Sequence, residues 1–377
     1  MIKKLPQHKT WIELDPRAIR HNVKAIRTLL KPKTELFAVV KSNAYGHGLF
    51  DFAKVAGDGV DGFCVDSVIE GSRLRDAGVA KPILALGPTL PHMLEVAAAQ
   101  DITITISSFD WFSIYLRSKI YPKFEFKFDT GMHRQGFSLE EIPKLIRKIT
   151  SHKLHVTSQL CGAYTHFASA KDLNYPTYTD EQFKNFLKVK AALTKAGLGK
   201  ITFHAAASGG VLMDQKYHFD RVRVGIGLYG FFPSKELEIQ MHRRISFHPV
   251  LSWHTIVTEI KYLKGGDYIG YDLAYRLRVP RKVAIIPIGY WHGLPWTLWQ
   301  AGEVIVNGEY AKIVGRISMD LTVIDVTDIP CTFGDRVTII GAQKGKTLSP
   351  QDLARAVGTS PYEIITRINS RIKRVLR

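Results

Sequence analysis

The sequence of 377 residues predicts an α/β fold, an N-terminal (β/α)8 TIM-type barrel over 1–238 followed by a C-terminal mostly β domain over 239–377. Three observations carry this. Eight short β-branched or aromatic runs alternate with amphipathic stretches, and polar, chemically active residues follow directly after those runs. Beyond residue 238 the strand-like runs are instead separated by Gly-Gly-Asp, Asn-Gly and Gly-Asp turns.

The first run, 36–40, reads Leu-Phe-Ala-Val-Val, continuously apolar as a strand covered on both faces must be. Runs at 62–65, 83–86, 102–106, 124–128, 159–164, 201–204 and 221–224 follow, with helical spacing at 139–149 and 181–196 between them. The second domain contains strand-like runs at 250–260, 283–288, 303–306, 311–314, 322–326 and 336–340. The first residues, about ten, are free to join it across the barrel. No internal repeat and no low-complexity linker separates the halves.

A composition of 45% hydrophobic and 23% charged residues excludes a disordered chain. No apolar run reaches membrane-spanning length, and the basic start Met-Ile-Lys-Lys-Leu-Pro-Gln-His is broken by Pro6 with no apolar stretch following, so neither a membrane span nor a secretory leader is expected. Cys64, Cys161 and Cys331 lie far apart, which fits reduced thiols and a cytoplasmic location. The +18 formal charge is dispersed, and the basic run at 367–377 reads as a solvated face, so no nucleic-acid partner is expected. Gly345-Lys346-Thr347 follows Gly341 one residue too closely for a nucleotide loop, and no metal-ligand spacing occurs.

In a barrel of this kind the site forms at the C-terminal ends of the strands. The first run delivers Lys41 and then Tyr45. A lysine there is costly to bury unless paired or made neutral, so it is either a Schiff-base lysine or a salt-bridged one. The fifth run delivers Lys127, Asp129, His133 and Arg134, and the sixth Tyr164 and His166. Ser208 after the seventh and Gly225-Ile226 after the eighth offer hydroxyl and backbone N–H donors where barrels commonly bind phosphate; the glycines equally suit simple turns.

Lys-Ser-Asn-Ala-Tyr-Gly-His-Gly at 41–48, Phe-Asp-Thr-Gly-Met-His-Arg-Gln-Gly at 128–136, Tyr-Thr-His-Phe at 164–167, Arg-Val-Gly-Ile-Gly-Leu-Tyr-Gly at 223–230 and Gly-Arg-Ile-Ser-Met-Asp at 315–320 together resemble alanine racemase, over nearly the whole chain. The resemblance implies a homodimer with shared active sites that interconverts L- and D-alanine and supplies D-alanine for peptidoglycan. Lys41 would hold pyridoxal 5'-phosphate and serve one face of the substrate Cα, while Tyr271 of the partner copy serves the other. His166 would supply positive charge beside Tyr271, Arg223 would face the pyridine nitrogen, and Arg134 would meet the substrate carboxylate. Lys127 matches a lysine carbamylated in many members. Tyr45, Ser208, Gly225 and Ile226 would hold the phosphate, and Met319 and Tyr290 line the substrate entrance. A serine or broad-specificity racemase, or a barrel-fold amino-acid decarboxylase, are the alternatives; Arg223 argues against the decarboxylase, which needs a protonated pyridine nitrogen.

The chain departs from the family pattern at six places. Ala207 replaces an asparagine, Trp291-His292 and Trp296 alter the entrance, Asp272 stands after Tyr271 where a glycine is usual, and Ser370 replaces a phosphate-binding tyrosine of some members.

Overall fold

The computed structural model describes residues 6–152 and 154–377. Contacts divide the chain into two compact units: Arg17–Ser42 with Phe52–Pro249, and the described residues up to Pro16 with Asn43–Asp51 and Val250–Arg377.

In the first unit, eight parallel strands close a barrel: Glu35–Val39, Gly62–Val65, Ile83–Ala85, Ile102–Ile106, Phe124–Lys127, Leu160–Tyr164, Thr202–Ala207 and Arg221–Val224. The last pairs with the first in the register Glu35↔Arg221 to Ala38↔Val224, so no edge remains unpaired. Pro16–Leu29 turns Ala18, Ile19, Val23 and Ile26 inward at three- and four-residue spacing. Each buried branched side chain contributes about 1.5–3 kcal/mol. The helix expected at 181–196 runs from Thr177 to Leu193, beginning directly after Pro176. The unit extends to Pro249, past residue 238, because Lys235–Met241 buries Leu237 and Met241 and packs beside Ser208–Met213.

The second unit is built on a sheet ordered Glu309–Lys312, Glu303–Val306, Arg336–Gln343, Leu251–Ile256, Thr10–Leu14 and Lys373–Leu376, with Lys346–Leu348 on Arg336–Gln343. Glu259–Leu263, Arg281–Ile286 and Thr322–Asp325 form a second, antiparallel sheet. The single strand expected at 250–260 is therefore two strands in different sheets. The chain changes sheet at Val257 and Thr258, whose N–H groups donate to Asp335 and Ile285 carbonyls. Thr10–Leu14 pairs antiparallel with Leu251–Ile256 and parallel with Lys373–Leu376. The basic opening stretch read from the sequence lies, over residues 1–5, outside the described residues. Among the described residues, no helix is long and apolar enough to cross a membrane.

Candidate active site

Directly after the first barrel strand the backbone turns left-handed: Ser42, Asn43, Ala44 and Tyr45 have φ of 55°, 56°, 52° and 52°. At about 1–2 kcal/mol per non-glycine residue, the turn stores several kcal/mol and persists only where its surroundings over-determine it. The Glu70 carboxylate accepts from the backbone N–H of Ser42 at 2.7 Å and of Asp66 at 2.8 Å. Farther along, Asn43 Oδ1 accepts from Leu49 N at 3.0 Å, and Arg374 Nη2 donates to the Gly46 carbonyl at 2.7 Å. A Cβ on Gly46, at φ 82°, would sit 1.9 Å from the Ile365 carbonyl oxygen. Arg374 is buried, and desolvation lowers it to about 10; this part of the basic C-terminal run is a structural pin rather than the expected solvated face. Lys41, half-buried where the turn begins, stands 3.7 Å from Asp66.

Alternate residues of the barrel strands build a polar chain inside. Arg221 donates to Glu125 Oε1 at 2.7 Å, and His204 Nε2 lies 2.6 Å from Glu125 Oε2. Burial alone would raise Glu125, but His204 and Arg221 outweigh it and hold the carboxyl down to about 2. Burial, opposed by Glu125, lowers His204 to about 3. The imidazole is therefore neutral beside a carboxylate, with its proton on Nε2, and Nδ1 accepts from Arg223 Nη1. Arg223 Nη2 donates to the carbonyls of Thr165 at 2.7 Å and Ala205 at 3.0 Å. Tyr164 stacks on His204 at 4.9 Å and shares a 2.9 Å hydrogen bond with Thr105. A Cβ at Gly162 would come within 2.6 Å of the Glu125 carboxyl carbon, so the neighbouring strand must leave that space open.

At the mouth, Asp129 Oδ1 accepts from the N–H groups of Gly131, Met132 and His133, shaping the loop that carries Arg134. Lys127 Nζ donates to Gln135 at 2.9 Å; burial, with Arg134 and Arg223 nearby, lowers it to about 8. Burial and the cations Arg223, Arg134, Lys127 and Lys41 push His166 down to about 3. His166 is thus uncharged at neutral pH. The Arg223 guanidinium, whose Nη2 lies 3.5 Å from His166 Nδ1, is a permanent cation beside it. Ser208 Oγ accepts from Gly225 N at 3.2 Å and Gly227 N at 3.3 Å, joining the loops after the seventh and eighth strands around buried Ile226.

The barrel thus brings together Lys41, Lys127, Arg134, His166, Ser208, Arg223, Gly225 and Ile226. The other predicted residues belong to the second unit. Tyr45 packs against Tyr362 at 6.2 Å, whereas Tyr271, Tyr290 and Met319 are 65%, 45% and 52% exposed. Trp291 and Trp296 are exposed as well, but His292 is buried and its Nδ1 accepts from Gly289 N at 3.1 Å, so it shapes a turn instead of the entrance. Sequence reasoning missed Glu125, Arg221, Glu70 and Arg374. For the first two the signal was present: Glu125 alternates with Lys127, and Arg221 with Arg223, inside otherwise apolar strands.

Burial, added to by the cations Arg223, Arg134, Lys127 and Lys41, holds His166 uncharged, and that gathering of positive charge at the mouth favours an anionic ligand. An amine at Lys41, hydroxyl and glycyl N–H groups at 208 and 225–227, and a buried guanidinium fit a phosphorylated pyridine aldehyde.

Comparison with known proteins agrees with this chemistry. Residues 14–233 match the family model "Alanine racemase, N-terminal domain", and residues 250–376 match "Alanine racemase, C-terminal domain". An alanine racemase of Leptospira interrogans is 33% identical over 377 residues, covering 98% of this chain and 96% of the relative. The crystal structure of alanine racemase from Bacillus anthracis with bound L-Ala-P superposes with a TM-score of 0.91 at 35% identity, covering 99% of this chain and 96% of that one. Alanine racemase from Bartonella henselae with covalently bound pyridoxal phosphate superposes at 0.85 with 28% identity, covering 98% and 100%.

Proposed function

The chain belongs to the alanine racemase family, an isomerase family dependent on pyridoxal phosphate, and from that premise we propose that it interconverts L- and D-alanine with two bases, Lys41 and the Tyr271 of a second copy. The observation that carries the reading is the convergence of Lys41, Lys127, Arg134 and Arg223 on the barrel mouth, felt together by His166. Those charges suit a phosphate and a substrate carboxylate in one site.

Lys41 would hold the cofactor, Ser208 and the N–H groups of Gly225 and Ile226 its phosphate, and Tyr45 would add a hydroxyl. When bound, pyridoxal phosphate supplies the electron sink that lets the substrate Cα–H bond break. Arg223 can only donate, so it would present an N–H to the ring nitrogen and withhold a proton from it. The Glu125–His204 chain supports this by fixing which imidazole nitrogen faces Arg223. A decarboxylase, which needs the protonated ring, is disfavoured.

Racemisation requires proton removal on one face of Cα and delivery on the other. Lys41 Nζ would move the proton on one face and the Tyr271 hydroxyl on the opposite face. Neutral His166 would act as a hydrogen-bonding group, and Arg134 would orient the carboxylate. Lys127, held near 8, has a substantial free-amine fraction at neutral pH, which favours carbamylation by carbon dioxide. The new carboxylate would steady Arg134.

Exposure of Tyr271, Tyr290, Trp291, Trp296, Met319 and Leu321 in one chain supports a dimer in which this surface is covered by the partner. D-alanine for peptidoglycan is the use that this activity would serve. The reading is tested by incubating the enzyme with pyridoxal phosphate and pure L-alanine in deuterated water. Deuterated D-alanine is the expected product; carbon dioxide release without inversion would overturn it.

A further inference from the structure

We infer that Asp272 and Arg316 form a latch that positions Tyr271 for its proton transfer, an inference that rests on the role proposed for Tyr271. The Tyr271 side chain is 65% exposed in the single chain, so within its own copy the backbone of its loop sets the direction in which it is offered. That backbone is unusual on both sides of the tyrosine. Gly270 has φ 76°, and Asp272 and Leu273 have φ of 59° and 52°. Aspartate tolerates the left-handed region better than most residues, but Leu273 does not, and its side chain is largely exposed. Something outside the loop must hold the conformation.

The Asp272 carboxylate pairs with Arg316 Nη1, and the Arg316 guanidinium lies 5.6 Å from the centre of the Trp296 ring. The segment bearing Arg316 is itself locked against the approach to the loop. A Cβ on Gly270 would meet Arg316 N at 3.2 Å, and one on Gly315 would meet the Ile269 carbonyl oxygen at 2.7 Å. Ile269 and Val314 join these segments in one small apolar cluster. Arg316 is therefore fixed by backbone contact and by Trp296, and through Asp272 it fixes the residue following Tyr271.

Arg316 and Asp272 are 31% and 68% exposed in the single chain, so loss of their ion pair would misplace the tyrosine without unfolding the chain. The test compares Asp272→Asn, which keeps the shape and the left-handed preference but removes the charge, with Arg316→Lys and Tyr271→Phe. Each is assayed with Cα-deuterated L-alanine and Cα-deuterated D-alanine. Asp272→Asn is expected to lower kcat about threefold to fivefold, as an exposed pair allows, with KM little changed. The deuterium effect should rise for the L substrate and fall for the D substrate, and Arg316→Lys should retain most of the activity. A skewed deuterium effect in Tyr271→Phe with an unaltered one in Asp272→Asn would overturn the latch alone. Balanced effects in Tyr271→Phe would overturn the role of Tyr271 and the latch with it.

Discussion

Replacing Glu125 with glutamine removes the carboxylate's full negative charge from the barrel interior, and the structure sets the consequence. Glu125 accepts from Arg221 at 2.7 Å and from His204 Nε2 at 2.6 Å. A glutamine has one acceptor and one donor. If its oxygen faces Arg221, its NH2 faces His204 and forces the imidazole proton onto Nδ1, where it opposes a donor of Arg223. If it is turned around, its NH2 opposes Arg221. Either way two donors confront each other in a buried site. The magnitude is that of removing one charge from a buried, hydrogen-bonded ion pair, about 3 kcal/mol, and His204 and Arg221 accordingly hold the carboxyl at about 2, below its ordinary 4.5. Because the folded value is the lower one, this stability is present above pH 4.5 and is lost as pH falls through 2. Urea denaturation at neutral pH should show Glu125→Gln destabilised by about 3 kcal/mol, with cofactor dissociating faster because Arg223 is displaced. Glu35, at the half-exposed end of Arg221, is the control: Glu35→Gln should cost less than about 1 kcal/mol. Equal stability of Glu125→Gln and the unmodified protein, or equal losses for both variants, would refute the argument.

Lys41→Ala should abolish the yellow absorbance of the cofactor-loaded enzyme and the adduct that borohydride traps; a trapped adduct on another lysine would contradict the assignment. Isotopically labelled bicarbonate should give a carbamate signal that is absent in Lys127→Arg and that strengthens as pH rises through about 8, where the free amine predominates. His47, His166 and His204 are held down to about 4, 3 and 3, chiefly by burial, and must each take up a proton on unfolding. Their stabilisation is complete above pH 6.5 and disappears as pH falls through those values, so the urea midpoint should decline from pH 6.5 downward with nearly one proton per histidine taken up; a flat profile would count against their burial as neutral rings.

The barrel was legible because its strands are buried on both faces and carry unbroken or alternating apolar runs, as in Leu36–Val39, and because reactive side chains follow them. Legibility ended where conformation is set by distant partners. Nothing in Lys-Ser-Asn-Ala-Tyr announces four left-handed residues: asparagine tolerates that region, but alanine and tyrosine adopt it here under the hold of Glu70 and, from the far end of the chain, Arg374. The charge state of His166 likewise depends on its burial and on four cations brought by three different strands, and a histidine beside an arginine reads the same whether charged or neutral. The sheet change at Val257 was hidden for a different reason. Residues 250–260 are continuously strand-like, and only the acceptors at Asp335 and Ile285 divide them.

The central claim is that Lys41 and Tyr271 act on opposite faces of one substrate from two different copies of the chain. Lys41→Ala and Tyr271→Phe proteins, each almost inactive alone, should regain activity when unfolded together and refolded as mixed dimers. A site shared between copies leaves one of the two sites of each mixed dimer intact, so random association should restore about a quarter of the unmodified activity. Recovery at that level is the predicted result, and its absence despite formation of mixed dimers would contradict the shared site.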